Sequence, residues 1–193
     1  IGGIFAITNI PINGIRNINC ANSITINPQK ILGITKTSSI LLVKDINVLK
    51  NTFATGLPYV SSENNVLNRG ELGIQGSRPA EIIKLWLGLR FLGIQGIEDI
   101  LISSIDKRRF LENNLNRKKY DLCSGQLHII SFIPKGMNKT QSDDWTLNKK
   151  NNLMKSNFML SRPVFKNRYY LRAVLGNYNT TQTHLNQLLK LLN

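Results

Sequence analysis

Two short apolar runs near the start of the chain have the length and composition of β-strands. They are Ser23–Ile26 and Ile40–Val43, and turn-forming or polar residues bound each of them. Between them lie Asn27-Pro28-Gln29-Lys30 and a polar stretch, Thr35–Ser39. The pattern therefore predicts that Lys30 lies at the end of a strand, which is an unusual place for a surface lysine.

The middle of the chain predicts a loop followed by two helices. Residues 51–76 contain four glycines and a proline among polar residues, which is typical of a long irregular loop. Pro79 suits the first turn of a helix whose apolar residues cover most of its circumference, so we expect this helix to be buried. Gly93 and Gly96 are expected to break it, and a second, amphipathic helix with a solvated basic face should follow.

After Tyr120 the pattern changes to strands. Three apolar runs are predicted as strands, at residues 127–133, 158–165 and 169–175. A Lys166-Asn167 turn separates the last two, and the polar segment Ser142–Lys155 is predicted to be a mobile connection. Thr180-Thr181 should cap a closing helix marked by Leu185, Leu188, Leu189 and Leu192. Strands followed by a terminal helix predict a small α+β domain.

Composition narrows the function classes. The chain has 193 residues, 41% of them hydrophobic, which is enough for the core of one domain or of two small ones. Its formal net charge of +14 could attract nucleic acid or anionic lipid. The basic clusters lack interleaved aromatic residues and any zinc-finger, basic-zipper or RNP-like run, so we expect solvated faces and neither a nucleic-acid nor a membrane partner.

The cysteines and the first residues add two expectations. Cys20 and Cys123 are far apart and form no CxxC pair, so we expect no disulfide framework and no metal site, and a reducing, cytoplasmic setting is favoured. The chain starts with Ile1-Gly2-Gly3 and has no initiating Met. We therefore expect that it is cut within a domain.

Three motifs follow one another along the chain, at Ala21–Lys30, Gly76–Trp86 and Tyr170–Asn177. In this order they resemble the stretch that ends in the cofactor lysine, the arginine-plus-KLW helix and a segment near the C-terminus of group II pyridoxal-phosphate decarboxylases. This family includes glutamate, aromatic amino-acid, cysteine-sulfinate and diaminobutyrate decarboxylases. The resemblance covers nearly all of this chain but only the C-terminal portion of a family member.

The resemblance implies an α/β fold of the fold-type I, aspartate aminotransferase-like class. Residues 1–76 would form the end of the large domain that binds pyridoxal 5'-phosphate (PLP), with the cofactor lysine and a mobile lid loop. Residues 77–120 would be linking helices, and residues 121–193 a small C-terminal α+β domain. A homodimer with its active site at the subunit interface is implied as well.

Three residues receive catalytic or substrate-binding roles from the resemblance. Lys30 would hold PLP as a Schiff base, for which the lysine must first lose its proton. Tyr59, at the lid position, would return a proton to the substrate α-carbon; the alternative is a loop aromatic that packs against the core. Arg172 would bind the substrate α-carboxylate; the alternative is an edge-strand arginine that reaches out to water.

Three further residues are candidates for the cofactor phosphate. Gln29 stands where the family usually has a histidine, and its amide keeps a hydrogen-bond donor there. Ser38 and Ser39 could approach the phosphate, of this subunit or of its neighbour. Serines in turns usually satisfy only the local backbone, and that alternative stays open.

The predicted function is decarboxylation of a small amino acid to its amine and carbon dioxide, and an acidic or diamino substrate is favoured. The chain alone is expected to be inactive. One alternative is a PLP-dependent lyase or oxidative variant, against which Tyr59 argues. Another is a degenerate fragment that acts as a basic interaction module, supported only by Gln29 and the charge of +14. The sequence does not name the substrate.

Overall fold

The computed structural model describes residues 2–13, 15–35, 39–56, 68–77 and 79–193, so the sites predicted at Ser38 and Tyr59 lie outside the described residues. The chain divides into two compact units. Unit 1 comprises Ile1–Ile7 and Gly14–Gly93, and unit 2 comprises Thr8–Asn13 and Ile94–Asn193. The predicted division at residues 76 and 120 stays a prediction.

Unit 1 is built around a two-stranded antiparallel sheet. Its strands, β1 at Ser23–Ile26 and β2 at Ile40–Val43, have the bounds that the sequence predicts. Its helical elements are two 3-10 helices at Gly2–Ile7 and Ile15–Cys20, the single turn α1 at Pro28–Ile31, α2 at Asn47–Phe53 and a 3-10 turn at Arg69–Glu71. The last two occupy parts of the segment that we predicted to be an irregular loop.

A long helix, α3, runs over Ile82–Asn114 and is interrupted at Gly93. Gly93 has φ 60° and ψ −177°, a backbone conformation that is essentially restricted to glycine, so the predicted break is confirmed there. Gly96 stays helical. The predicted burial of the first part of α3 is wrong, because Leu85 is 4% exposed whereas Trp86 is 59% exposed. Periodicity identifies apolar positions, but burial also needs a surface that covers them.

Unit 2 contains a three-stranded antiparallel sheet with the order β3-β4-β7 and a separate hairpin of β5 and β6. The strands are β3 at Tyr120–Ser124, β4 at Ile129–Pro134, β5 at Val164–Phe165, β6 at Arg168–Tyr169 and β7 at Leu171–Val174. The unit also contains the part of α3 that begins at Ile94, together with α4 at Lys139–Lys155 and α5 at Gln182–Leu192. The predicted closing helix is confirmed as α5, and Leu185, Leu188, Leu189 and Leu192 are buried in one core with residues of β4 and β7. No helix among the described residues combines the length and apolar character that crossing a bilayer requires.

Helix α4 corrects the prediction of a mobile connection over Ser142–Lys155. Asn138 caps the helix and exchanges hydrogen bonds with Gln141, which completes a capping box. Ser142 and Thr146 are fully buried, and their hydroxyls donate to the helix carbonyls of Lys139 and Asp143. The buried face of this helix therefore contains polar residues whose hydroxyls bond to helix carbonyls. Because these positions are polar, the sequence does not show the apolar period of a helix.

The other strand predictions are confirmed in part. The sequence did not indicate β3, and the strand predicted over 158–165 shrinks to β5 and one isolated bridge between Ser161 and Arg172. The predicted turn is confirmed, because Lys166 and Asn167 have positive φ angles of 47° and 57°. Such a two-residue turn matches the twist of a β-hairpin.

Candidate active site

Lys30 lies on a single helical turn that begins directly after β1. Its backbone N–H donates to the carbonyl of Asn27 at 3.2 Å, and the flanking side chains of Ile26, Pro28 and Ile31 are buried. The Lys30 side chain itself is exposed. Buried neighbours thus hold the backbone in place while the amine stays accessible to an incoming aldehyde.

The register of the sheet places a second candidate at the same end. Ile26, the last residue of β1, pairs with Ile40, the first residue of β2. Lys30 and Ser39 therefore belong to the same end of the sheet. Lys30 lies on the turn that follows β1, and Ser39 directly precedes β2. Ser39 is exposed and Gln29 is half-buried. One end of this sheet thus presents an amine together with an amide and a hydroxyl that can donate to a phosphate, so the residues present fit PLP.

Arg172 lies on β7 in unit 2 and is half-buried. Its Nε donates to the Ser161 hydroxyl at 2.9 Å. Within the described residues no carboxylate forms an ion pair with this guanidinium. Arg172 therefore sits partly desolvated without a protein carboxylate beside it, a state that suits an arginine whose anionic partner is a ligand.

Sequence reasoning missed Ser161, although a signal for it exists. Ser161 lies five positions before Lys166, and Arg172 lies five positions after Asn167. A hairpin that closes at this two-residue turn must place the two residues opposite each other. The predicted turn, extended outward, would therefore have identified the partner of Arg172.

The basic cluster Lys107-Arg108-Arg109 was expected to form a solvated face. This expectation is wrong for Arg108, which is only 7% exposed. Its Nε donates to the carbonyl of Leu127 at 3.1 Å, and it forms an ion pair with Glu112. Burial raises the pKa of Glu112, but hydrogen bonds from Ser124 and Arg108 outweigh this and hold that pKa below its usual value. Arg108 is thus paired with Glu112 and bound to a backbone carbonyl, so we regard this residue as structural.

Comparison with known proteins identifies the family. Residues 2–132 match the profile of the pyridoxal-dependent decarboxylase conserved domain. The chain belongs to the pyridoxal-dependent decarboxylase family. It is also 27% identical over 186 residues to an aromatic-L-amino-acid decarboxylase of Bacillus atrophaeus, covering 91% of this chain and 38% of that protein. The resemblance to group II decarboxylases is thereby confirmed, and PLP is the cofactor of the family.

Solved structures show the same fold. Mouse CSAD matches with a TM-score of 0.81 at 20% identity, over 99% of this chain and 43% of CSAD. Oryza sativa TDC, solved with PLP and tryptamine, matches with a TM-score of 0.81 at 16% identity, over 91% of this chain and 38% of TDC. The predicted α/β fold class is confirmed. The chain spans well under half the length of these relatives, so the structure describes only part of the fold that they contain.

Proposed function

We propose that this chain supplies part of the active site of a PLP-dependent decarboxylase that converts a small amino acid to its amine and carbon dioxide. The observation that carries the proposal is the position of Lys30, an exposed amine on an anchored turn at one end of the sheet, within a chain of this family. We also propose that a complete enzyme needs the further part of the fold that the longer relatives contain.

Residues at this sheet end would bind the cofactor. Lys30 would hold the cofactor aldehyde covalently, and its backbone anchors would keep the attachment point fixed relative to the sheet. Gln29, Ser38 and Ser39 donate hydrogen bonds to the phosphate. When bound, PLP supplies an electron sink for the electron pair that remains on the α-carbon after carbon dioxide leaves.

Arg172 binds the substrate α-carboxylate in this proposal. Its two terminal nitrogens form a planar fork that matches a carboxylate, and the Ser161 hydroxyl holds the Nε end of the group. Tyr59 donates the proton that returns to the α-carbon, since a neutral phenol can donate near neutral pH. Lys30 and Arg172 belong to different compact units, and the proposal gives each residue its role separately.

Assembly and location follow the same proposal. We expect a cytoplasmic homodimer in which the active site lies at the subunit interface. The Bacillus atrophaeus relative is an aromatic-L-amino-acid decarboxylase, and a tryptophan decarboxylase of Catharanthus roseus, solved with L-tryptophan, has the same fold at 18% identity. A substrate panel should therefore include aromatic, acidic and diamino acids.

The test uses the complete gene product purified with PLP. The visible absorbance of the cofactor joined to a lysine should be present in the wild type and lost in Lys30→Ala. Lys44→Ala is the matched control, because Lys44 is an exposed lysine next to β2 in the same unit. Carbon dioxide release from a substrate of the panel should be present in the wild type and in Lys44→Ala and lost in Lys30→Ala, as the absorbance is. Unchanged absorbance in Lys30→Ala would exclude Lys30 as the attachment point.

A further inference from the structure

The chain from Ser161 to Arg172 forms one β-ribbon in unit 2. Its paired positions share a single register: Ser161 with Arg172, Val164 with Tyr169, and Phe165 with Arg168. Consecutive residues of a strand point to opposite faces, and paired residues share a face. Ser161 and Arg172 therefore lie on one face of the ribbon, and Arg162 and Tyr169 lie on the other.

Arg162 joins this second face to helix α4. Its Nε donates to the Thr146 hydroxyl at 2.9 Å, and one of its terminal nitrogens donates to the carbonyl of Asp143 at 2.8 Å. Its guanidinium carbon lies 3.6 Å from the centre of the Tyr169 ring. A planar guanidinium can stack on an aromatic ring and donate to acceptors in its own plane at the same time. Arg162 thus contacts the opposite strand and one turn of α4 together.

Asp143 holds the same face through the second strand. One of its carboxylate oxygens accepts from the Tyr169 N–H at 3.1 Å, and the other accepts from Lys139 at 2.6 Å. The hydrogen bond from Lys139, followed by that from Tyr169, lowers the pKa of this carboxyl, so Asp143 is ionised near neutral pH. We call Arg162, Asp143 and Thr146 the α4 contact, since together they fix both strands of the ribbon to the helix.

The strand that carries Ser161 depends on this support. Among the described strands β5 pairs only with β6, and the link between Ser161 and Arg172 is an isolated bridge. A two-stranded ribbon is marginally stable by itself and needs a further surface to pack against. Arg162 directly follows Ser161 in the chain, so its bonds to α4 fix the backbone beside the hydroxyl that receives Arg172 Nε.

We infer that Arg162 is a positioning residue for Arg172: it fixes the strand of Ser161 to α4 and so holds the Ser161 hydroxyl where that hydroxyl orients the Arg172 guanidinium. The inference rests on the proposed function, in which Arg172 binds the substrate α-carboxylate. Because Arg162 lies on the opposite face of the ribbon, it acts through Ser161 and not by touching the substrate.

Steady-state kinetics of the complete enzyme test this role. Arg162→Lys keeps the charge but loses the planar fork, so it should raise KM for the amino acid about fivefold and change kcat by less than about twofold. Thr146→Val removes the acceptor of Nε and should also raise KM, whereas Thr146→Ser keeps the hydroxyl and should restore it. Arg109→Lys is the matched control, because Arg109 is an exposed arginine of unit 2 that pairs with Asp106. It should leave KM unchanged.

A spectroscopic measurement follows Arg172 itself. Its Nε–H is hydrogen-bonded to Ser161, so the proton should exchange slowly with water. Nuclear magnetic resonance of the complete protein with isotope-labelled arginine measures this exchange, and the signal is assigned by its loss in Arg172→Lys. Arg162→Lys should accelerate the exchange severalfold, and Arg109→Lys should leave it as in the wild type.

Three results would overturn the inference. The first is an exchange rate at Arg172 that Arg162→Lys does not change. The second is a lower free energy of unfolding in Arg162→Lys with an unchanged KM, which describes a purely structural residue. The third concerns coupling, since Arg162→Lys should raise KM much less in a Ser161→Ala background than in the wild type. Equal increases in the two backgrounds would show that Arg162 does not act through Ser161.

The exchange measurement does not depend on catalysis. If the wild type shows neither the lysine-bound cofactor absorbance nor carbon dioxide release, but Arg162→Lys accelerates the exchange, the proposed function fails and the positioning of Arg172 stands. If the absorbance and carbon dioxide release are present while the exchange is unchanged, the function stands and the positioning inference fails.

Discussion

Arg172 and Ser161 are joined by four hydrogen bonds. Their backbones exchange two, from Arg172 N–H to the Ser161 carbonyl at 2.8 Å and from Ser161 N–H to the Arg172 carbonyl at 3.1 Å. The Ser161 hydroxyl makes the other two: it accepts from Arg172 Nε at 2.9 Å and donates to the Arg172 carbonyl at 3.4 Å. The backbone pair positions the two residues, and the hydroxyl orients the guanidinium, so the two contributions can be separated by mutation.

Ser161→Ala should weaken substrate binding with little loss of fold stability, because it removes the orienting hydroxyl and leaves both backbone bonds. A hydrogen bond with a net value of about 1 kcal/mol corresponds to about a fivefold rise in KM. We expect kcat to change much less. Ser161→Thr keeps a hydroxyl and should restore most of the binding. Steady-state kinetics of the complete enzyme decide this, and equal KM values in all three proteins would contradict a role for Ser161 in positioning Arg172.

Asn138→Ala should destabilise unit 2, because it removes the cap of α4. The Asn138 side chain accepts from the Gln141 N–H at 2.9 Å, and loss of such a cap costs about 1 kcal/mol. Asn151→Ala, at an exposed position inside the same helix, is the matched control and should be neutral or slightly stabilising. Urea unfolding followed by circular dichroism measures both, and identical midpoints would show that the cap does not hold the helix.

Tyr120→Phe should cost about 1 kcal/mol at neutral pH, because it removes a buried hydrogen bond. The Tyr120 hydroxyl donates to the carbonyl of Leu192 at 2.6 Å, and that carbonyl keeps a second donor, Lys119 Nζ at 2.9 Å. The loss should therefore stay at the low end of the range for a buried group. The free energy of unfolding of the two proteins measures it.

The same substitution should change the response to alkaline pH. Burial raises the pKa of Tyr120 to about 12, whereas an unfolded tyrosine titrates near 10, about the model-peptide value. The unfolded chain thus loses its proton first, and the stability from this group is lost as pH rises from about 10 to about 12. The difference between wild type and Tyr120→Phe should narrow over that interval, and a constant difference would contradict this assignment.

His128 should make the fold sensitive to acid. It is 1% exposed, its Nδ1 meets no hydrogen-bond partner among the described residues, and burial lowers its pKa. The folded state therefore holds a neutral imidazole, and its contribution is lost as pH falls below the unfolded value of about 6.5. His128→Leu removes the unpaired nitrogen and should match or exceed the wild-type stability at pH 7. The difference in the free energy of unfolding between His128→Leu and wild type should grow as the pH is lowered. A difference that stays the same at every pH would contradict this explanation.

Several elements could be predicted from the sequence because their causes are local. The strands β1 and β2 follow from short apolar runs bounded by turn residues, and the break at Gly93 follows from a backbone conformation that essentially only glycine adopts. Helix α5 follows from its threonine cap and leucine period. The position of Lys30 at the end of β1 belongs to the same class, since it needs only the strand and the turn beside it.

Other features were decided by tertiary structure. Helix α4 was not predicted, because its buried Ser142 and Thr146 are polar in sequence. They become compatible with a core through hydrogen bonds to their own helix and, for Thr146, a further one from Arg162. Arg108 was assigned to a solvated face, because nothing local indicates that the carbonyl of Leu127 and the carboxylate of Glu112 would receive it.

The sequence by itself determined which residue types occur where: an amine at a strand end, an arginine on an alternating strand, and a helix with apolar residues around most of its circumference. Only the tertiary structure decided which of these are covered and which are paired. It joined Arg172 to Ser161 and left Trp86 and Phe91 exposed. The reason is physical, since burial and pairing are properties of two surfaces in contact, and the pattern along one segment describes only one of them.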